Sequence, residues 1–171
     1  MSTPVRILPR EFIAQIWPTV GRVQMRERGL YPSVCIAQAS LETGYGNFNT
    51  LGNNIFGIKH HYGMAIYKQT REVLGGQNVY LPQPFQFYAT LEEAVNDYCW
   101  LLPEHPKFAG QLVGLPRDEF IEVLGPLYAT DAPASIDGDP SYAEKIASII
   151  ERYGLDEFDE VEGIDNREET T

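Results

Sequence analysis

The chain predicts an α+β domain, mostly α, built as a helical lobe with a small antiparallel β lobe. Three observations carry this. Apolar residues recur at helical spacing towards both ends of the chain. The texture changes between Lys59 and Tyr88 to short runs rich in β-branched and aromatic residues around a Gly75-Gly76 turn. Capping residues and glycine stops bracket the helical stretches. Residues 1–155 are expected to form one domain, and 156–171 an acidic, flexible tail.

The first helix is predicted over Arg10 to Arg28, where Phe12, Ile13, Ile16, Trp17, Val20, Val23 and Met25 share a face. Pro18 should kink or split it, and Gly29 closes it. Tyr31-Pro32-Ser33 opens the second helix with Ser33 as N-cap. Its face is Val34, Ala37, Gln38 and Leu41, and Gly44 is the C-cap. In the β lobe, Ala65–Tyr67, Arg71–Leu74 and Asn78–Leu81 read as two or three short strands ending near Phe85–Tyr88. Thr90-Leu91-Glu92-Glu93 fits a capping box at the start of a helix to about Leu102. Another helix covers Arg117 to Leu124. The last runs from Pro140 or Ser141 to Tyr153, with Asp139 or Ser141 as cap and Gly154 as stop.

Composition narrows the function. With 171 residues, 43% of them apolar, a single core is affordable. A net charge of −11 opposes sequence-independent binding to nucleic acid and to anionic lipid. No run approaches the roughly 18 apolar residues of a membrane span. The N-terminal residues show no secretory signal pattern, so action outside the cytoplasm implies non-classical delivery. From Asp156 onward eight acids face one base, Arg167. Cys35 and Cys99 fall within apolar helical patterns and read as buried free thiols.

One residue stands out chemically. Glu42 lies at the C-terminal lip of the second helix, where exposed carbonyls disfavour an anion. That field should raise its pKa, and a carboxyl kept protonated near neutral pH suits a general acid. Cleavage of a glycosidic bond needs such an acid, usually paired with a second carboxylate. Glu72 in the β lobe, Asp131, Asp137 and Asp139 are the candidates for that partner. Tyr45, Phe48, Tyr62, Tyr67, Tyr88 and Tyr128, in or beside loops, could stack on sugar faces. His60-His61 is the sole histidine pair, and no HExxH or cysteine cluster accompanies it, so neither metal nor other cofactor is expected. Cys35 lacks the flanking signature of a catalytic thiol. Gly44-Tyr45-Gly46 lacks the third glycine and the preceding strand of a phosphate loop.

Five segments in order resemble one family, the peptidoglycan N-acetylglucosaminidases of glycoside hydrolase family 73. Ala37–Gly46 is similar to its AQaaLEsgwG motif, and Asn53–Lys59 to its NNLFGIK. Phe85–Tyr88 resembles FRxY, with Asp97-Tyr98 matching the helix that follows. Tyr128–Asp131 and Asp139–Ile146 resemble the two ends of YATDPxYAxKI. The resemblance runs from about residue 10 to 155. It implies a lysozyme-like fold, a glycan groove between the lobes, and hydrolysis of the β-1,4 bond between N-acetylglucosamine and N-acetylmuramic acid. It places Glu42 on the family's catalytic acid and Glu72 on the segment bearing its second acid. Tyr128 falls on the tyrosine lining the groove. Tyr45, Asn54, Phe56 and Asp131 are further expected substrate-binding residues.

Two departures stand out. Gln86 replaces the arginine of FRxY, and residues 132–138 separate the halves of the last motif. The readings that compete with an endo-β-N-acetylglucosaminidase are a lytic transglycosylase and a peptidoglycan-binding module with weak turnover. The expected partners are peptidoglycan glycan strands and, for an injected toxin, an immunity or inhibitor protein occupying the groove. A monomer is expected, with no nucleic acid and no membrane span. A phage lysin, a secreted effector and a flagellar-type domain all fit such a chain.

Overall fold

The computed structural model describes residues 6–22, 25–47, 51–128 and 139–160. Six α-helices, two short 3-10 turns and one two-stranded ribbon are present among them. They are α1 (Pro9–Arg22), α2 (Pro32–Thr43), β1 (Ala65–Leu74), β2 (Gln77–Gln86), α3 (Leu91–Glu104), α4 (Arg117–Tyr128), α5 (Tyr142–Tyr153) and α6 (Glu157–Glu160).

The helical lobe is organised around α2. Pro32 starts it at the position where a missing N–H costs nothing, and Gly44 stops it in the left-handed conformation. Val34, Cys35, Ile36, Ala37 and Ala39 are fully buried, so α2 is apolar on nearly every side. It contacts α1, α5 and α6, while α1 also packs on α3 and α4 on α5. The expected N-cap is corrected. Tyr31, not Ser33, occupies that position and offers no side-chain bond. Ser33 lies inside the first turn, and the partner for its N–H comes from far along the chain. Asp159 accepts from the Ser33 amide at 2.9 Å and from its hydroxyl at 2.6 Å.

That contact corrects the tail as well. Residues 156–160 are docked rather than frayed. Phe158 packs on Trp17 with ring centroids 4.2 Å apart, and Arg26 donates to the Phe158 carbonyl at 3.1 Å. Residues 161–171 lie outside the described residues. Pro18 does not split α1, which runs through it and ends at Arg22. The helix gives up one hydrogen bond there, to the Ala14 carbonyl, and retains its buried face of Phe12, Ile13, Ile16 and Val20.

The β lobe has two strands, the smaller of the two expected numbers, and they are longer than the expected segments. β1 and β2 are single ten-residue strands paired antiparallel from Ala65 opposite Gln86 to Leu74 opposite Gln77. Gly75 and Gly76, both at positive φ, make the turn. Pro82 and Pro84 are tolerated in β2 because a two-stranded ribbon has only edge strands. One ribbon face carries Ile66, Lys68, Thr70 and Glu72 with Phe85. The ammonium groups of Lys59 and Lys68 lie 4.2 and 5.2 Å from the centre of the Phe85 ring.

The remaining caps follow the sequence. The Thr90 hydroxyl accepts from the Glu93 amide, while Glu93 turns back to the Ala89 N–H rather than to Thr90 itself. Ser141 and Glu144 form a complete capping box on α5, and Gly154 ends it. Cys35 and Cys99 are free and buried. Burial pushes the Cys35 thiol well up and the Cys99 thiol up to about 12.

Candidate active site

Glu42 sits in the last turn of α2, at the seam between the helical lobe and the ribbon. Three structures meet its carboxyl. From α5, the Tyr142 hydroxyl donates to Oε1 at 3.0 Å. From the Asn53–Lys59 turn, Gly57 passes so close that a Cβ there would stand 3.6 Å from Oε2. From β1, Lys68 supplies positive charge. Gly57 has φ +65°, so this turn needs glycine for its backbone as well as for the approach to the acid.

The Glu42 residue is exposed by surface area, yet protein crowds its carboxyl on most sides. This describes an acid at an open seam rather than on a free surface. Burial raises its pKa above the ordinary glutamate range, and the Tyr142 hydrogen bond and the Lys68 charge pull it partly back. The expected direction holds, and desolvation by the surrounding protein is a cause the helix-end argument did not include.

Behind the acid lies a line of polar groups within the apolar core. The Gln38 amide nitrogen donates to the Tyr142 hydroxyl at 3.0 Å, and the Tyr98 hydroxyl donates to Gln38 Oε1. The Tyr98 ring is held by a stack on Phe56 at 4.4 Å. The Tyr128 hydroxyl donates to the Phe56 carbonyl at 2.6 Å, and its ring stacks on Tyr142 at 6.0 Å. Tyr128 therefore stands beside the acid, joining α4, α5 and the Gly57 turn.

Several expected binding residues have other positions. Asn54 is buried. Its amide donates to the carbonyls of Ile58 and Gln86, and its oxygen accepts from the Ile58 N–H. No polar atom is left for a sugar, so Asn54 shapes the turn that carries Gly57. The Phe56 side chain is fully buried and likewise acts within the core. The Tyr45 ring packs edge-on against Tyr153 at 5.6 Å. Tyr153 and Tyr142 lie at opposite ends of α5, about 16 Å apart along the helix axis, so that ring lies away from the acid. Tyr88 is buried too, and donates to Asp97 at 2.5 Å. Asp131, Asp137 and Phe48 fall outside the described residues.

Glu72 is half-buried on β1 and accepts from the Thr70 hydroxyl at 2.8 Å. It shares a ribbon face with Lys68, four residues and about 13 Å further along the strand. The structure thus brings Glu42 together with Tyr142, Gly57, Lys68 and Tyr128, while Glu72 makes its hydrogen bond within its own strand. Gln86, at the departure from FRxY, is buried and fully used. Its oxygen accepts from the His61 and Tyr62 amides, and its nitrogen donates to the Tyr62 carbonyl at 2.7 Å. His61 in turn lies 2.9 Å from Asp97, which ties the base of the ribbon to α3. Among the described residues no group of three potential metal ligands comes together.

The sequence reading missed Gln38 as a polar element of the site and placed it only on an apolar face. Its signal was the spacing. Gln38 and Glu42 are four residues apart and share one side of the helix, so a buried amide points along the same line as the acid.

A helical lobe, an antiparallel hairpin and a single desolvated glutamate between them define a lysozyme-like glycoside hydrolase domain. The chain belongs to the glucosaminidase family, glycoside hydrolase family 73. The family model described as mannosyl-glycoprotein endo-beta-N-acetylglucosaminidase matches residues 21–155. The exo-glucosaminidase LytG of Bacillus subtilis is 34% identical over 76% of this chain and 46% of its own length. The peptidoglycan hydrolase FlgJ of Vibrio cholerae is 31% identical over 81% of this chain and 42% of its own. The chain thus spans less than half the length of these relatives. Among solved structures, the catalytic domain of the autolysin Auto of Listeria monocytogenes superimposes with a TM-score of 0.71 at 23% identity. The match covers 92% of this chain and 91% of that one. A peptidoglycan hydrolase mutant of Sphingomonas sp. A1 gives 0.67 at 28% identity, over 86% and 96%.

Proposed function

We propose that this domain is a peptidoglycan hydrolase, an endo-β-N-acetylglucosaminidase cutting the β-1,4 bond between N-acetylglucosamine and N-acetylmuramic acid. The observation that carries the reading is the Glu42 carboxyl, with its pKa raised by burial, held by Tyr142 and open to solvent at the seam between the lobes. As general acid, Glu42 gives its proton to the glycosidic oxygen while the bond from that oxygen to the sugar C1 breaks. Water completes the reaction at C1, and its proton restores an acid in the site. Glu72 is the proposed second carboxylate. It lies on the ribbon face that bears Lys68, the residue whose charge reaches Glu42. Tyr128, beside the acid, is proposed to line the sugar site. The relatives' names support a wall glycan as substrate, since they include peptidoglycan hydrolase, autolysin and exo-glucosaminidase.

In this reading the domain works as a monomer at the cell wall, and a protein inhibitor would act by filling the seam at Glu42. No described helix is long and apolar enough to cross a membrane. The test is digestion of purified sacculi followed by mass spectrometry of the released muropeptides. Reducing N-acetylglucosamine ends are expected, with a rate loss of roughly 10²–10⁴-fold in Glu42→Gln. Anhydro-muramic ends would instead identify a transglycosylase. Full activity in Glu42→Gln would remove Glu42 from the mechanism.

A further inference from the structure

The polar line behind Glu42 has a direction, and that direction decides which oxygen of the acid can hold the proton. Tyr98 is buried, and its hydroxyl proton goes to Gln38 Oε1. Stacking on Phe56 holds the Tyr98 ring in place. If the Gln38 amide turned over, its NH₂ would face Tyr98, and the buried hydroxyl proton would lose that acceptor. Buried donors without acceptors are strongly disfavoured, so the amide is locked with its nitrogen towards Tyr142. The Tyr142 oxygen then accepts from Gln38 and has one proton to give. That proton goes to Glu42 Oε1.

We propose that Gln38, locked by Tyr98, is a positioning residue that makes Tyr142 a permanent donor to Glu42 Oε1, so that the catalytic proton resides on Oε2, the oxygen facing Gly57. This rests on the reading of Glu42 as the general acid. An acid proton on Oε1 would meet the Tyr142 hydroxyl proton head-on. On Oε2 it lies beside the Gly57 turn, where a Cβ would stand 3.6 Å from the oxygen and glycine supplies none. Among the described residues no other element competes for Oε1. The Tyr128 hydroxyl from α4 is committed to the Phe56 carbonyl. Lys68 from β1 contributes charge and is not hydrogen-bonded to the carboxyl. The nearest tyrosine of α5 is Tyr142 itself.

The direction gives the acid and the carboxylate unequal partners. The carboxylate gains a donated hydrogen bond, whereas the acid gains no acceptor for its proton from Tyr142. With the lock removed, the acid form could donate from Oε1 to Tyr142, which would favour protonation but place the proton on the wrong oxygen.

The experiment is a carbon-13 NMR titration of the Glu42 carboxyl in the full chain, alongside kcat and KM on sacculi, for the parent and Tyr98→Phe. The expected result is a Glu42 midpoint moved to higher pH, with kcat lowered on the order of 10-fold and KM unchanged. Gln38→Leu removes the donor to Tyr142 directly. It should move the midpoint the same way, and it serves if Tyr98→Phe folds poorly. A midpoint that stays or falls in a folded variant overturns the proposal, even if melting temperature and kcat drop, because loss of packing alone does not redirect a proton. The titration needs no substrate. A raised midpoint in a domain that releases no wall fragments supports the relay while the hydrolase reading fails. Normal fragment release with an unmoved midpoint overturns the relay alone.

Discussion

Asp159→Ala should destabilise the domain by about 2–3 kcal/mol, although Asp159 lies in a segment whose composition suggests a frayed tail. Its carboxylate takes the amide and hydroxyl protons of Ser33 at 2.9 and 2.6 Å, in the first turn of the helix that ends at Glu42. Ser33 is fully buried, and the Asp159 side chain is 13% exposed, so water replaces neither bond readily. A lost N-terminal cap costs ~1 kcal/mol, and a buried donor left unpaired costs roughly 1–3 kcal/mol. The Arg117 contact, at 3.6 Å and partly exposed, adds little. For a chain of this size the loss should lower Tm by about 4–12 °C. Urea unfolding of Asp159→Ala, Ser33→Ala and the double variant measures it. The midpoint should fall with the slope unchanged, and the double-mutant coupling should exceed about 1 kcal/mol. A loss under about 0.5 kcal/mol, or no coupling to Ser33, would mean that α6 does not hold α2 and that the segment frays.

Two further outcomes follow from the acid's surroundings. Tyr142→Phe removes the hydrogen bond that lowers the Glu42 pKa, leaving Lys68 alone against burial. A general acid works while protonated and fails as pH rises through its pKa. The alkaline limb of the pH–rate profile should therefore move to higher pH while the maximal rate falls; an unmoved or lowered limb contradicts the assignment. Gly57→Ala and Gly63→Ala impose the same left-handed strain, at φ +65° and +63°, each costing about 1–2 kcal/mol. Only the first puts a methyl group by Glu42 Oε2, while Gly63 has nothing within 4 Å of its added carbon. Activity on sacculi should drop in Gly57→Ala and persist in Gly63→Ala at matched fold stability. Equal activity in the pair would mean that the turn does not bear on the acid.

Much of the architecture is legible locally because its signals are short-range. Gly44 and Gly154 end their helices where the sequence indicates, and Ser141 with Glu144 caps α5, since each acts on backbone within four residues. Gly75-Gly76 likewise marks the ribbon's turn. The errors arose where packing outweighs a local rule. Pro18 stays within α1 because the buried face on either side outweighs one missing hydrogen bond. The strand segments merge because pairing continues across Lys68–Thr70 and through the prolines of β2.

Family motifs pointed to Glu42 as the acid, and its position at a helix end is visible from the two glycines that follow it. Its surroundings are not. Tyr142 lies 100 residues away in the chain, Asp159 lies 126 from Ser33, and Tyr98 lies 60 from Gln38. Periodicity places such residues on a face without naming their partners. Asn54, Phe56 and Tyr45 fall within the motif segments, yet only burial shows that they shape the turn and the core. The sequence by itself determined the fold class and the glycine stops of α2 and α5, because these signals act on neighbouring residues, and it singled out Glu42 as the candidate acid. Only the tertiary structure decided the desolvation that raises the Glu42 pKa, the direction of its hydrogen-bond chain and the docking of α6. Those depend on which distant side chains exclude water from the same place.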